Sequence, residues 1–218
     1  MRARTKAWLE VSVLFLLVIG VCRILFSLRS IPFVSQTLPL WAAGLFLYVP
    51  VALLFARRRK PETWGLTLHG WFPALATALV VSLLVLPSFL VLFHLYQRWW
   101  LHVNPASLRL SPGWPSLVIY HLLCVAFPEE VFYRGYMQSR LNEAFTGRIP
   151  VFFAPLGFGW LYTGILFALG HFLIDFRPAT LATFFPGLAF GWLRERTGSI
   201  LAPTLFHALC NATILLLT

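Results

Sequence analysis

Long hydrophobic runs, separated by short polar breaks, make up most of this chain. We identify seven apolar segments with room for a helix, at residues 7–28, 38–56, 70–96, 114–140, 150–174, 179–193 and 199–217. A helix of about 20 apolar residues crosses the hydrocarbon core of a bilayer. The pattern therefore predicts an all-α fold, a polytopic transmembrane helical bundle of about seven membrane helices.

One or two of these helices are expected to be short or broken. Pro150, Pro155 and Gly157 interrupt the start of the fifth segment, so its helix should begin late, near Phe158. The region from Pro178 to Pro186 is also too short for an ordinary span.

The composition agrees with a membrane location. Hydrophobic residues make up 59% of the chain and charged residues 11%, and the mean hydropathy is +0.80. A soluble domain with that balance has too few polar groups to cover its surface. No long linker, low-complexity tract or repeat separates a second unit. We therefore predict a single membrane-embedded domain over residues 1–218.

The net charge of +10 points to the membrane surface rather than to nucleic acid, because the basic residues cluster at the ends of apolar runs. One set of ends carries Arg2, Arg4, Lys6, the block 57–60, Arg140, Arg148, Arg194 and Arg196. The other set keeps Arg29, Arg98, Arg109 and Arg177. Positive charge favours the cytoplasmic side, so the N-terminus should be cytoplasmic. We expect lipid, and no nucleic acid, as a partner.

The first segment and the cysteines give little further information. The first segment is basic and then apolar, like a secretory signal, but has no convincing cleavage site, so we interpret it as a retained helix that also targets the chain. Cys22, Cys124 and Cys210 lack metal-type spacing and are expected to be buried free thiols.

Two adjacent carboxylates, Glu129 and Glu130, interrupt the fourth segment directly after Pro128. A charged side chain at the bilayer centre costs about 2.5–3.5 kcal/mol on insertion scales. Two of them persist there only if they are paired, protonated or facing a wet cavity. The alternative is that this stretch lies at the cytoplasmic surface, where the helix leaves the membrane.

Helical spacing assigns the two carboxylates different roles. Glu130 and Arg134 are four residues apart and share a helix face, which predicts a structural ion pair. Glu129 points about 100° away from Glu130, toward the bundle interior. Glu129 is therefore the candidate for chemistry.

Polar groups also occur in two later apolar runs. His171 lies four residues after Phe167, and His207 and Asn211 lie four residues apart on the last segment. A lone helical His is more often a core residue, and His207 with Asn211 also suits hydrogen bonding between packed helices. His121, eight residues before Glu129, is interpreted as structural, with a position facing the cavity as the alternative.

Together these side chains provide the groups needed for water to attack an amide carbonyl. A carboxylate and an imidazole can deprotonate water, while a second imidazole and an amide N–H can hold the developing oxyanion. No cofactor or metal is required. Alternatively, Glu129, His171 and His207 could hold zinc, although the HExxH motif is absent. A transporter or proton relay also places such residues in a membrane, but it predicts a repeat relating two halves.

Three motifs resemble those of a known family. Residues 129–134 (EEVFYR), 167–171 (FALGH) and 207–211 (HALCN) resemble the EExxxR, FxxxH and HxxxN motifs of the CPBP family, which includes CAAX prenyl endopeptidases of the Rce1 type and bacterial proteins linked to bacteriocin processing and immunity. The resemblance covers about residues 114–217, which we take as the catalytic core.

The resemblance implies an activity and a set of roles. It implies a glutamic-type intramembrane endopeptidase that cleaves a membrane-anchored or lipidated protein tail, in a bacterial inner membrane. Glu129 and His171 would activate water, and His207 and Asn211 would form the oxyanion hole. Glu130 and Arg134 would hold the helix. A family member acting as an immunity scaffold without catalysis is the alternative.

Overall fold

The computed structural model describes residues 2–107 and 112–217, and these fold mainly as helices. Seven α-helices are present there: α1 (Arg2–Ser27), α2 (Pro32–Ala56), α3 (Trp71–Trp99), α4 (Trp114–Ala144), α5 (Phe158–Asp175), α6 (Phe184–Thr197) and α7 (Leu201–Leu215). This confirms the predicted all-α polytopic bundle. The predicted Arg109 lies outside the described residues.

The helices differ in length, and the short α6 follows the region from Pro178, which the sequence predicts to be too short for an ordinary span. Five of those described, α1 to α5, are long and apolar enough to cross a membrane. The last two are short, with 14 residues in α6 and 15 in α7. The region from Pro178 to Thr183 before α6 forms a 3₁₀ turn instead of a full helix.

A β-hairpin replaces the first part of the fifth apolar segment. Strands β1 (Arg148–Val151) and β2 (Ala154–Gly157) pair antiparallel. Pro150 faces Pro155 in this pairing, which suits residues that cannot donate a helical hydrogen bond. The segment 150–174 is therefore helical only from Phe158 onward, the start that the sequence predicts.

Helix α4 runs through the protein interior and is wound unevenly. Its turns at His121–Ala126 and Val131–Gln138 are π-helical, and they flank the short α-helical stretch Phe127–Glu130. Pro128 lies in that stretch, where its ring crowds the preceding turn. All eight residues of Val131–Gln138 are buried. Such widened turns occur frequently at functional sites.

Helices α5 and α7 enclose α4 from two sides. Helix α5 packs against α1, α6 and the π-helical turn Val131–Gln138. Helix α7 packs against α3, α6 and the π-helical turn His121–Ala126. Side chains from α4, α5 and α7 therefore face a shared interior.

An ion-pair network ties the helix ends together on the side where the basic clusters lie. Glu10 accepts from Arg57 at 2.7 Å, from Arg140 at 3.3 Å and from the Tyr136 hydroxyl at 2.7 Å. Helices α1, α2 and α4 meet in this network. We call this side of the bundle the basic end.

Candidate active site

The Glu130–Arg134 pair is fully enclosed. Arg134 Nη1 donates to Glu130 Oε1 at 2.8 Å, and neither side chain is exposed. Arg134 Nη2 donates to the Gly187 carbonyl of α6 at 2.9 Å, and the Phe167 ring centroid lies 4.5 Å from the guanidinium carbon. A buried ion pair needs such additional partners, because desolvation offsets most of its attraction. The pair thereby fixes α4 to α6.

His207 lies between the two carboxylates of α4. Its Nδ1 is 2.9 Å from Glu130 Oε1, and its Nε2 is 3.9 Å from Glu129 Oε2. The ring stacks on Phe190 with centroids 4.6 Å apart, and Phe167 meets it edge-on at 5.8 Å. A carboxylate only accepts, so Nδ1 carries the hydrogen and Nε2 faces Glu129.

Glu129 has a carboxylate oxygen available for another partner. Its Oε2 is buried and accepts no hydrogen bond from the described part of the chain. The 3.9 Å separation from His207 Nε2 exceeds a direct hydrogen bond. Glu129 therefore faces the interior, as the helical spacing predicts.

His171 is oriented by its own helix. Its Nδ1 lies 2.9 Å from the Phe167 carbonyl, which accepts from it and leaves Nε2 unprotonated in the neutral ring. Within residues 2–107 and 112–217, no hydrogen bond or ion pair joins His171 to Glu129. The Phe167 ring contacts both imidazoles, with centroids 4.6 Å from His171 and 5.8 Å from His207. The two histidines thus approach the same interior from α5 and α7.

Asn211 lies one turn beyond His207 on α7 and is partly buried. Its side-chain amide makes no hydrogen bond to any described residue. Four residues place it on the helix face of His207. An unengaged amide one turn from an imidazole can donate to a third group placed between them.

The late start of α5 sets which of its residues lie beside α4. In a flat arrangement of seven spans, Glu129 lies near mid-membrane and His171 near the outer end of its helix. The hairpin shifts α5 along its axis, so that Gly170 lies directly beside Tyr133 of α4. Phe167 and Gly170 of α5 therefore contact Tyr133, which lies one turn after Glu129 on α4.

Gly170→Ala is expected to displace α5 and lower stability. A Cβ at this position would lie 2.5 Å from the Tyr133 hydroxyl and 3.2 Å from Ile19 Cδ1. Overpacking of this kind costs about 1–3 kcal/mol. The measurement is thermal unfolding in detergent, with Gly20→Ala as control because nothing lies within 4 Å of its added carbon. Equal unfolding temperatures for the two variants would contradict this close approach.

The sequence did not predict that Glu130 binds His207. Spacing along one helix predicts that Arg134 pairs with Glu130. His207 is 77 positions away from Glu130 and lies on another helix, so spacing does not predict this second contact. Among the described residues, no group of three or more His, Cys, Asp or Glu side chains is arranged to hold a metal ion.

The fold and this cluster define a class: a polytopic membrane protein with a buried carboxylate–histidine site. Residues 111–213 match the family described as Rce1-like type II CAAX prenyl endopeptidase. This match confirms the resemblance seen in the motifs. The match covers α4 to α7 almost entirely, and α1 to α3 lie outside it. No curated protein and no solved structure matches the chain. The match supports an endopeptidase acting in the membrane.

Proposed function

We propose that this protein is a glutamic-type intramembrane endopeptidase that hydrolyses one peptide bond in a membrane-anchored or lipidated protein tail. The observation that carries the proposal is the placement of His207 between Glu129 and Glu130, with a buried Glu129 oxygen left unpartnered. A buried carboxylate oxygen without a hydrogen bond is costly, and Glu130 Oε2 is in the same state beside it, so this pair of carboxylates is where a function is expected.

Water activation is assigned to Glu129 and His171. Glu129 presents an unpartnered oxygen, and His171 presents Nε2, because its other nitrogen is engaged with Phe167. Both atoms are acceptors, so either can take a proton from a water held between α4 and α5. The attacking oxygen adds to the scissile carbonyl carbon, and the proton passes to the amine as the C–N bond breaks.

Stabilisation of the oxyanion that forms on the substrate is assigned to His207 and Asn211. To donate from Nε2 while Nδ1 donates to Glu130, His207 acts as imidazolium. Its positive charge and that of Arg134 then balance the two carboxylates, so the cluster is neutral overall. The Asn211 amide, one turn away, supplies a second donor.

Glu130 and Arg134 position this machinery. Arg134 is held by Gly187 of α6, Glu130 is held by Arg134, and His207 is held by Glu130. This chain of hydrogen bonds fixes the His207 ring before substrate arrives. Preorganisation of donors is a large part of electrostatic catalysis.

We place the protein in a bacterial inner membrane with the basic end in the cytoplasm. Charge asymmetry supports this orientation, since the helix ends tied by Glu10 carry Arg2, Arg4, the basic block 57–60 and Arg140. Labelling of a cysteine introduced at Lys60 with a membrane-impermeant reagent checks it, and labelling from outside intact cells would reverse the assignment.

The test of the proposed activity compares membrane-protein tails in cells that express the wild type, Glu129→Ala or His171→Ala. Mass spectrometry of protein C-termini is expected to show tails shortened by the wild type alone. A prenylated CAAX peptide and its unlipidated form, offered to the purified protein in liposomes, show whether the lipid is needed. Identical cleavage profiles for all three proteins would exclude the enzyme and favour a scaffold or transporter.

Metal chelation is expected to leave the activity unchanged. The described residues offer no cluster of three suitable ligands, and Glu130 and His207 are already bound to each other. The measurement is cleavage after dialysis against EDTA or 1,10-phenanthroline, with a zinc metalloprotease treated in parallel. Loss of cleavage that added zinc restores would support the alternative in which Glu129, His171 and His207 ligate the metal.

A further inference from the structure

We infer that His121 is a substrate-positioning residue, which hydrogen-bonds a main-chain group of the unwound substrate on the side of the site away from the basic end. This inference rests on the proposed function.

The backbone places His121 against α7. It is the first residue of the π-helical turn His121–Ala126, and this turn packs against α7, the helix of His207 and Asn211. The same turn adjoins the stretch Phe127–Glu130, which carries Glu129. His121 therefore lies about two turns from Glu129, in a turn that contacts the helix of His207.

His121 differs from the other helical histidines in its hydrogen bonding. In the described helices, Nδ1 of His94 bonds the Leu90 carbonyl, Nδ1 of His171 bonds the Phe167 carbonyl, and Nδ1 of His207 bonds Glu130. Nδ1 of His121 is buried and has no partner there. An unsatisfied buried nitrogen costs about 1–3 kcal/mol, so this imidazole is suited to a partner that arrives from outside the chain.

The spacing fits an extended peptide. Eight residues of helix separate His121 from Glu129 by at most about 12 Å along the axis, because a π-helical turn rises less per residue than an α-helical one. An extended chain advances about 3.3 Å per residue, so His121 lies opposite a residue three or four positions from the scissile bond.

A peptide in the membrane needs such a contact. A scissile segment must be unwound before water can attack it, and its backbone N–H and C=O groups then lack helical partners. Lipid supplies none, so side chains around the site must provide them. Outward from Glu129, α4 is largely apolar up to Tyr120, which makes His121 the ionisable group best placed for this role.

The test compares His121→Asn with His121→Phe in the purified full-length protein in liposomes, using a prenylated CAAX peptide with a quenched fluorophore. Phe retains a ring that packs against Tyr120, whose centroid is 5.3 Å away, but cannot hydrogen-bond. Asn retains a polar group close to the Nδ1 position but loses the ring. We expect Phe to raise KM about tenfold with kcat little changed, and Asn to stay close to the wild type.

The possible outcomes distinguish failure of the inference about His121 from failure of the proposed function on which it rests. If His121 is purely structural, the order of the two variants is reversed: His121→Phe keeps its activity and His121→Asn loses it. That result overturns the inference. A KM that is unchanged in both variants also overturns it. If the wild type cleaves nothing, or Glu129→Ala cleaves equally well, the proposed function fails and the inference fails with it.

Discussion

Glu129→Gln is expected to abolish measurable peptide hydrolysis while leaving the protein folded. Glutamine has the shape of glutamate but cannot take a proton from water, and loss of a positioned general base lowers kcat by on the order of 10²–10⁴-fold. The fold should tolerate the change because Glu129 Oε2 accepts no hydrogen bond from described residues. The measurement is kcat on a peptide that the wild type cleaves, alongside the unfolding temperature.

Glu143→Gln is the matched control, since it makes the same substitution on the same helix. Glu143 lies at the basic end and pairs with Arg59 at 3.3 Å in a partly exposed position. Surface pairs of this kind contribute about 0–1 kcal/mol, so activity and stability should both remain. Cleavage by Glu129→Gln within tenfold of this control would remove Glu129 from the chemistry.

Arg134→Met is expected to cause the largest loss of stability of any single change considered. Methionine is comparably long and apolar, but it leaves Glu130 as a buried carboxylate without its cationic partner. Removing one member of a buried pair costs about 3–5 kcal/mol. Thermal unfolding in detergent measures the effect, with Arg140→Met on the more exposed part of α4 as control.

The double variant Glu130→Gln with Arg134→Met separates charge from packing. It removes both charges, so much of the lost stability should return, while Gln still accepts from His207 Nδ1 through its carbonyl oxygen. Activity should stay low, because a neutral Gln no longer balances an imidazolium at position 207. A double variant no more stable than Arg134→Met would show that the guanidinium acts through Gly187 and the surrounding rings instead.

Local spacing predicted much of the fold and part of the candidate site. Apolar runs predict helices because a bilayer imposes helical hydrogen bonding on any span. Glu130 and Arg134 are four residues apart, so one helix suffices to bring them together. The proline-rich stretch before Phe158 predicts a late helix start for an equally local reason.

Local spacing along the sequence does not predict which helices contact each other. The Glu130–His207 bond depends on the packing of α7 beside α4, which no periodicity reports. The hairpin tip was also unforeseen, since Phe152 and Phe153 adopt φ values of 45° and 65° that aromatic residues seldom take. The roles of Glu129, His171, His207 and Asn211 stay predictions until the variants are measured.

The shortness of α6 and α7 has a consequence for the surrounding lipid. Fifteen residues rise about 22 Å, whereas a hydrocarbon core is about 30 Å thick. Hydrophobic mismatch of this size draws the two leaflets toward each other beside these helices. The locally thinned bilayer shortens the path from bulk solvent to the interior on the side of His207, where the proposed hydrolysis consumes one water per turnover.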